Sequence, residues 1–476
     1  GIVLVLHHEP WRDEADAWLM ARDAPLADLF LRGGYVGSPS LWYYLLAPFA
    51  RLGFPYGTLG FVNLALATIA VGVMLIAAPF PLLMRALVAF SFLFSYEYAV
   101  VARSYALSVM LLFALATLHA RRDERPRPHG LLTALLFNTN VHGMALAAPI
   151  LAVRAWETLR SESRGTRAAW QGLAIAAAGG ILAVLQLLPH PDGQLQGLSH
   201  DAGWRWVGIS LAQALFPLQV DRTGMLGRTV VNPTLTVLAA LIWIAIAISL
   251  LRRPRALAFL AASSALLWAL FALKYPGGLR HWGFLLLALI YALWIARVEE
   301  QATSTSGPTA PSRARGDKPD VARLTASLGL GVALAWSVYF GGRSWLREIA
   351  DPFSEARDMG EYLVEQKLTH IQIAAWPGPN TESVLPYLPI RRFYYPGIRD
   401  SGSYMKWDRA YEEGQAISDD EVLKRVHVAF PHQELLLLTN RPLAGAEDAG
   451  FTAIHAAAGT AIVLDERFLL YRRSRR

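Results

Sequence analysis

The stretch HHEPWRDEADAW at residues 7–18 holds the densest set of reactive side chains in the sequence. It follows the apolar residues 1–6 and carries four acids within eight positions, from Glu9 to Asp16. We expect residues 1–6 to be the tail of a first transmembrane helix that starts before this numbering, because a bilayer span needs about 20 apolar residues. The acidic stretch then lies just outside the membrane.

A helix is predicted to begin after Pro10 with Asp13 as its N-cap, because a carboxylate there accepts hydrogen bonds from free backbone N–H groups. Ala15, Trp18, Leu19 and Arg22 share one face of this helix, at i, i+3, i+4 and i+7. The pattern predicts an amphipathic helix on the membrane surface that ends near Pro25. Two interpretations stay open: Asp13 and Asp16 either cap the helix or, beside two histidines and Arg12, include a general base.

The composition of the 476 residues is that of a membrane protein. Hydrophobic residues make up 54%, charged residues make up 17%, and the mean hydropathy is +0.32. A soluble domain usually carries about 25% charged residues, so a purely soluble enzyme, a disordered chain and a coiled coil are excluded. Cysteine is absent, which excludes disulfides, thiolate metal sites and cysteine nucleophiles. The net charge of +7 indicates arginine-rich cytoplasmic loops rather than a nucleic acid partner.

Ten apolar runs follow the acidic stretch, and several are short or contain proline and polar residues. Polar backbone survives at membrane depth only where it is buried in protein or lines a wet cavity. The predicted fold class is therefore a polytopic α-helical membrane protein with half-helices around a cavity. The runs are residues 39–52, 57–78, 80–97, 101–120, 130–153, 168–189, 229–251, 256–273, 282–297 and 323–340.

Arginine and lysine predict the orientation of the chain. Basic residues cluster in four stretches that are predicted to be cytoplasmic, at 121–127, 154–167, 252–255 and 313–318. The predicted external segments are 7–38, 190–228, 274–281 and everything after about 341. Four runs between 39 and 120 would place residue 121 on the external side, so one run is either re-entrant or fused with its neighbour.

The end of the sequence is predicted to form a separate domain. Residues 301–322 are rich in Ser, Thr and Pro, which predicts a flexible cytoplasmic linker before a last transmembrane helix at 323–340. Residues 341–476 carry more charge and predict a small external α/β domain. Its predicted elements are helices at 353–366 and 419–428, strands at 369–376 and 434–439, and a closing hairpin of 461–464 with 468–471.

The sequence WRDEADAWL at residues 11–19 resembles the first external loop of membrane glycosyltransferases of the GT-C superfamily. It is most similar to the bacterial branch related to protein mannosyltransferases and aminoarabinose transferases. In that branch an Asp-Glu pair opens a surface helix, and the Asp is catalytic. The resemblance therefore implies a catalytic Asp13 with Glu14 beside it, and it covers residues 5–300 as an architecture.

A second match is YEYAVVARSYAL at residues 96–107, which resembles a family pattern of an external acid followed by Arg-x-Tyr. It implies that Glu97, Arg103 and Tyr105 bind substrate. A snorkelling anchor is the alternative for Arg103, although Glu and Arg in an apolar run are costly unless they are paired or hydrated. A third family landmark opens the second membrane helix. Residues 37–44 stand at the corresponding place in this sequence, and only that position is carried over.

Histidines supply two further candidates. His142 ends the polar interruption NTNVH within an apolar run, where it is either a cavity residue or a satisfied core histidine. Arg280 and His281 stand before Trp282, between two apolar runs. They either bind the substrate phosphate or form an interfacial anchor.

The resemblance implies a polyprenyl-phosphate-linked sugar donor rather than a nucleotide sugar, and the sequence has no Gly-rich nucleotide loop. Asp13 would take the proton of the acceptor hydroxyl, with inversion at the anomeric carbon, while Arg103 and Arg280 neutralise the phosphate. Further substrate contacts are assigned to His8, Arg12 and Asp16.

No cofactor is expected. The acids around Asp13 could bind a divalent cation through oxygen, but the branch that this sequence resembles generally needs none.

The expected partners are the lipid-linked donor, a lipid, glycan or protein acceptor, and the bilayer, with no nucleic acid. The expected location is a bacterial inner membrane with the C-terminal domain outside. One rival class is a transporter or flippase of lipid-linked saccharides, which usually shows a repeat symmetry that this sequence lacks. Another makes the C-terminal domain a partner-binding module with the membrane part as its anchor.

Overall fold

The computed structural model describes residues 1–160, 165–193, 201–218, 232–305, 321–457 and 459–475. A helical region comes first and a domain with a mixed β-sheet follows. The helices of the first region are α1 (Ile2–His7), α2 (Arg12–Asp23), α3 (Leu26–Leu31), α4 (Gly33–Val36), α5 (Leu41–Arg51), α6 (Thr58–Ala77), α7 (Leu82–Phe90), α8 (Tyr105–Leu118), α9 (Pro126–Phe137), α10 (Val141–Arg160), α11 (Arg167–Gln186), α12 (Arg205–Leu215), α13 (Pro233–Ser249), α14 (Pro254–Ala269), α15 (Leu279–Thr305) and α16 (Val321–Ala350).

The helical region belongs to an integral membrane protein. Within the described residues, five helical stretches are long and apolar enough to cross a membrane. They are Thr58–Ala77, Arg167–Gln186, Pro254–Lys274, Leu279–Ala302 and Arg323–Ala350. In α15, 83% of the most apolar window is buried inside the protein, and this helix packs against α8, α12 and α14. A helix that is apolar on every side is stable only when protein or lipid surrounds it.

Polar and small residues set where these helices begin and how closely they pack. Asn232 caps α13, because its side-chain oxygen accepts a hydrogen bond from Leu235 N at 3.1 Å and proline occupies the first helical position. A Cβ atom built on Gly130 would lie 2.1 Å from the carbonyl oxygen of Gly172. Glycine at both positions therefore lets α9 and α11 approach within backbone contact.

Several apolar runs fold differently from a single span. The run 80–97 is divided between α7 and a π-helical turn at Leu93–Glu97. The run 130–153 is divided between α9 and α10, and the break lies at the polar residues 138–140, as the interruption indicates. The structure also contains α12 within 190–228, which was predicted as an external segment. This helix has 11 residues, too few for a span by length, yet it packs on α13 and α15.

The predicted linker 301–322 is helical wherever the structure describes it, because α15 continues to Thr305 and α16 starts at Val321. Residues 306–320 lie outside the described part. The last helix is also longer than the predicted 323–340, since α16 runs on to Ala350. The start predicted for the external domain at 341 therefore falls inside a helix.

The C-terminal domain is a six-stranded sheet with helices α17 (Ala356–Glu365), α18 (Gly378–Thr381), α19 (Arg409–Gln415) and α20 (Asp419–Ala429). The strands are β1 (Gln372–Trp376), β2 (Phe393–Tyr395), β3 (Asp400–Gly402), β4 (Leu435–Thr439), β5 (Thr452–Ala456) and β6 (Leu469–Arg473). Their order is β3-β2-β1-β4-β6-β5. β1 pairs in parallel with β2 and β4, and the other neighbours are antiparallel.

The domain elements predicted near 353–366, 369–376, 419–428 and 434–439 correspond to α17, β1, α20 and β4. The predicted closing hairpin is wrong, because β6 pairs with β5 instead of with 461–464. Ile462 and Val463 are buried against Phe353 and Trp11, and their backbone N–H groups bond to Pro352 O and Phe353 O. Apolar burial at the junction with the helical region therefore holds this segment away from the sheet.

The prediction that α2 is amphipathic, with one exposed side, is also corrected. Nine of its 12 residues are buried, including Arg12, Glu14 and Asp16 on the side predicted to be polar. It packs against α5 on one side and against the 3₁₀ turn Glu382–Tyr387 of the C-terminal domain on the other. Trp11 rather than Asp13 is the N-cap, and Asp13 lies in the first turn. The C-terminal domain covers α2, so both sides of this helix are buried within the protein.

Candidate functional site

A cavity of about 370 Å³ opens where α2, the start of α15 and the C-terminal domain meet. Eight of the residues predicted to form the site line it, namely Arg12, Asp13, Asp16, Arg103, Tyr105, His142, Arg280 and His281. Apolar side chains such as Val36, Val141, Leu187 and Leu270 form another part of its wall. The cavity therefore combines concentrated charge with an apolar surface, as ligand sites commonly do.

Asp13 is the centre of the charged part. Arg280 donates a hydrogen bond from its guanidinium to Asp13 Oδ2 at 2.8 Å, and Arg103 donates one to the Asp13 backbone carbonyl. The Arg280 guanidinium also lies 5.0 Å from the centre of the Trp11 ring. Burial alone would raise the pKa of Asp13, but the positive charges of Arg103, Arg280 and Arg12 outweigh it and hold that pKa below its usual value. Asp13 is therefore a carboxylate at neutral pH.

Arg12 connects the start of α2 to the C-terminal domain. Its guanidinium forms an ion pair of 2.7 Å with Asp465, and its backbone N–H donates to Glu466 Oε1 at 2.8 Å. Burial raises the pKa of Glu466 to about 8 although Arg12 is near. The domain that follows α16 is thus hydrogen-bonded to the residue next to Asp13.

Asp16 lies one helical turn beyond Asp13 and is tied to Arg32 by an ion pair of 2.6 Å. Arg32 also donates a hydrogen bond to the carbonyl oxygen of Met405 in the C-terminal domain. Burial raises the pKa of Asp16, and the positive charge of Arg32 partly offsets that effect. Asp16 therefore has a fixed structural partner as well as a place in the cavity wall.

The helical side of the cavity carries an aromatic group. Tyr105 OH lies 2.8 Å from His281 Nε2, and the ring of His142 stacks on that of His281 with 4.8 Å between their centres. Neither ring nitrogen of His142 has a hydrogen-bond partner among the described residues. Asn140 beside it donates to Ser108 Oγ at 2.8 Å and accepts from Gly143 N. The polar interruption therefore forms part of the cavity wall, with His142 facing an aromatic partner.

Three predicted site residues do not line the cavity. Glu14 accepts hydrogen bonds from Ala102 N at 2.6 Å and from His8 Nε2 at 2.9 Å. His8 Nδ1 lies 2.7 Å from Glu348 in α16, so His8 bridges two buried carboxylates. Glu97 is buried in the helical region. The contacts of His8 and Glu14 connect α2 to the membrane helices, which places them behind the site rather than at its surface.

Sequence reasoning missed the cavity residues that come from other parts of the chain. These include Tyr35, Tyr43, Lys274, Tyr275, Glu382 and Trp407. Lys274 and Tyr275 begin the predicted external segment 274–281, so their position before Arg280 was a usable signal. Glu382 and Trp407 have no such signal, because nothing in the local sequence relates the C-terminal domain to α2.

Glu382 has an unusual environment. It is fully buried, and neither of its carboxyl oxygens has a hydrogen-bond partner among the described residues. Burial raises its pKa well above the usual value, and the nearby charges of Asp16 and Asp13 add to this effect. Glu382 therefore keeps its proton to a higher pH than an exposed glutamate does. Across the described ranges, no three His, Asp or Glu side chains converge as a metal site would require.

The fold of this chain is similar to that of a protein whose structure has been solved. A crystal structure of ArnT from Cupriavidus metallidurans bound to undecaprenyl phosphate is similar over 99% of this chain and 96% of its own length. The TM-score is 0.55 and the sequence identity is 11%. The chain therefore has a GT-C-like fold. No protein-family model matches the sequence, and no curated protein does. The GT-C-like fold expected from residues 11–19 and 96–107, and the small α/β domain expected from residues 341–476, are thus confirmed.

Proposed function

We propose that this protein is a glycosyltransferase that moves a sugar from a polyprenyl-phosphate donor to an acceptor hydroxyl. The observation that carries the proposal is the carboxylate of Asp13, paired with Arg280 in a cavity with basic and apolar walls. Such a cavity suits a ligand with a phosphate at one end and an apolar chain at the other. The ArnT structure of similar fold holds undecaprenyl phosphate, which is a ligand of this chemistry.

The basic residues at the cavity wall would receive the donor phosphate. Arg103, Lys274 and Arg280 come from three segments and line the same cavity. Guanidinium groups bind phosphate with two parallel hydrogen bonds, and a lysine adds a point charge. These three side chains would neutralise the leaving phosphate as its bond to the sugar breaks.

Asp13 would act as the base. In the absence of donor it is a weak base, because the neighbouring guanidinium groups lower its pKa in spite of its burial. Donor phosphate that competes for Arg280 would loosen the hydrogen bond to Oδ2 and raise the proton affinity of Asp13. Asp13 would then take the proton of the acceptor hydroxyl while its oxygen attacks the anomeric carbon. The bond from that carbon to the phosphate oxygen breaks, the lipid phosphate leaves, and the configuration inverts.

The reaction is proposed for the external face of a bacterial inner membrane, where the C-terminal domain would also lie. The acceptor belongs to the lipids, glycans or proteins of that compartment. The proposal assigns no step to a metal ion or another cofactor. Arg12 and Asp16 would complete the wall that faces the sugar.

Purified protein tests the proposal without any membrane gradient. It would be incubated in detergent with undecaprenyl-phosphate hexosides and pentosides and with lipids and glycans extracted from a bacterial envelope. We expect release of undecaprenyl phosphate and appearance of the labelled sugar on an acceptor. Proteoliposomes that move the intact glycoside across the bilayer and never cleave it would support the transporter class instead.

A further inference from the structure

A second cavity, of about 180 Å³, lies at the opposite end of α15 from Asp13. Arg297 lines this cavity, and Arg280 lines the first one. At 1.5 Å per helical residue, these two arginines are about 25 Å apart along α15. The hydrocarbon core of a bilayer is about 30 Å thick, so the two cavities lie near opposite faces of the membrane. The second cavity is therefore separate from the proposed site of transfer.

The second cavity has a strong excess of positive charge. Its described lining holds four arginines, Arg252, Arg253, Arg297 and Arg323, and one carboxylate, that of Glu300. Glu300 pairs with Arg323 at 2.6 Å and with Arg253 at 3.4 Å. Among the described lining residues, basic side chains outnumber acidic ones by four to one, so the cavity favours an added anion.

Arg297 shows the excess most clearly. It is half-buried, it donates a hydrogen bond to the carbonyl oxygen of Pro79 at 3.3 Å, and its guanidinium lies 5.3 Å from the centre of the Phe80 ring. No carboxylate lies within ion-pair distance of it in the described parts of the chain. Arginines at the cytoplasmic ends of membrane helices are common and usually point into water. Arg297 instead lines a partly enclosed cavity, where water screens its charge less than at an open surface.

The remaining wall is apolar. Phe80, Val88, Ile246, Leu293 and Leu330 contribute side chains from four helical segments and the turn before α7. A small hydrophilic anion would leave this surface unused, whereas an amphiphile fills both parts of the cavity. We propose that the cavity binds the phosphate headgroup of an anionic phospholipid, with the start of an acyl chain against the apolar wall. This site is independent of the proposed transfer reaction.

Lipid-dependent stability tests the site without an activity assay. Thermal unfolding of detergent-purified protein would be followed with added phosphatidylglycerol, with phosphatidylcholine and with glycerol 3-phosphate, each at the same concentration. We expect phosphatidylglycerol to raise the midpoint more than the other two, with an affinity that falls as salt increases. Equal stabilisation by phosphatidylcholine would overturn the proposal. Equal stabilisation by glycerol 3-phosphate would show a site for soluble phosphate and would overturn the lipid assignment.

Single substitutions test whether the second cavity is responsible for the preference for phosphatidylglycerol. Arg297→Gln should lower the preference for phosphatidylglycerol over phosphatidylcholine by about fivefold, since one basic residue near a membrane surface contributes about 1 kcal/mol. The matched control is Arg127→Gln, an exposed arginine at the start of α9 that is bonded to Gln171 and does not line the cavity. If Arg297→Gln fails to fold, the pair Arg252→Gln and Arg253→Gln serves in its place. Full preference retained in the folded variant would overturn the proposal.

Discussion

The 2.8 Å ion pair between Asp13 and Arg280 connects the first turn of α2 to the first turn of α15. These residues are far apart in the sequence, and both belong to segments that are predicted to be external. The pair neutralises both charges inside the cavity and fixes the orientation of the Asp13 carboxylate. It also means that a ligand anion must compete with Asp13 for Arg280, which couples donor binding to the basicity of the carboxylate.

Arg280→Gln should separate these two effects. Without the guanidinium, the pKa of Asp13 should rise, because one of the positive charges that lower it is removed. The apparent affinity for the donor should fall by about tenfold to a hundredfold, since a charged hydrogen bond contributes about 1.5–3 kcal/mol. Steady-state kinetics with varied donor concentration measures this. A donor KM within about twofold of the unchanged protein would contradict the assigned phosphate contact.

Glu382 predicts a particular dependence of stability on pH. The pKa of this carboxyl is raised in the folded protein by burial and by Asp16, so the folded state keeps its proton at a pH where the unfolded chain has lost it. Stability from this group is therefore present below a pH of about 4.3, the ordinary pKa of glutamate, and is lost as the pH rises toward the folded pKa.

Glu382→Gln cannot ionise and should remove this loss. The variant should unfold at a higher temperature than the unchanged protein at pH 8 and at the same temperature near pH 4. Thermal unfolding across that range measures the difference, and Glu361→Gln, at an exposed position of α17, is the matched control. A Glu382→Gln protein that is less stable than the unchanged one at pH 8 would show that the carboxyl is ionised in the fold.

His8 predicts a loss of stability at higher pH. Burial alone would lower its pKa, but Glu14 and Glu348 raise it to about 10. The stabilising charge is present below the ordinary histidine pKa of about 6.5 and is lost as the pH rises from there to about 10. His8→Ala leaves two carboxylates buried without this partner, which should cost about 3–5 kcal/mol.

The thermal midpoint of His8→Ala should therefore lie well below that of the unchanged protein at pH 7, and the difference should shrink toward pH 10. His7→Ala is the control, because the neighbouring His7 is exposed and bonds to Val3 O in its own helix. Equal midpoints for the two variants at pH 7 would contradict the bridging role of His8.

The sequence predicted the parts of the structure that depend on local pattern. Uninterrupted apolar runs gave α6, α11 and α13 near their observed bounds, because length and hydropathy alone decide such helices. α12 could not be predicted in this way, since 11 residues of mixed character become helical only when α13 and α15 cover them. The pairing of β6 with β5 depends on the burial of 461–463 at the junction, which no local pattern reports.

Local sequence pattern also predicts some of the cavity residues, while others depend on packing between distant segments. Asp13 and Arg103 were found from the motifs at residues 11–19 and 96–107, and Arg280 was found because it stands between two apolar runs. Glu382 was missed because its importance comes from packing between two domains, and its own sequence reads as an ordinary surface turn. His8 and Glu14 were assigned by proximity in sequence to Asp13. A helix turns neighbouring residues in different directions, and here Glu14 faces the interior while Asp13 faces the cavity.

The central claim is that the Asp13 carboxylate is the base of a sugar transfer, and Asp13→Asn tests it most directly. Transfer of labelled sugar from an undecaprenyl-phosphate glycoside would be measured for this variant and for Asp23→Asn, at the other end of α2, where the acid pairs with Arg22. With folding verified by the thermal midpoint, Asp13→Asn should lose about a hundredfold to ten-thousandfold of the rate, as a general base contributes, and Asp23→Asn should stay active. An Asp13→Asn protein that keeps more than about a tenth of the rate would contradict the account.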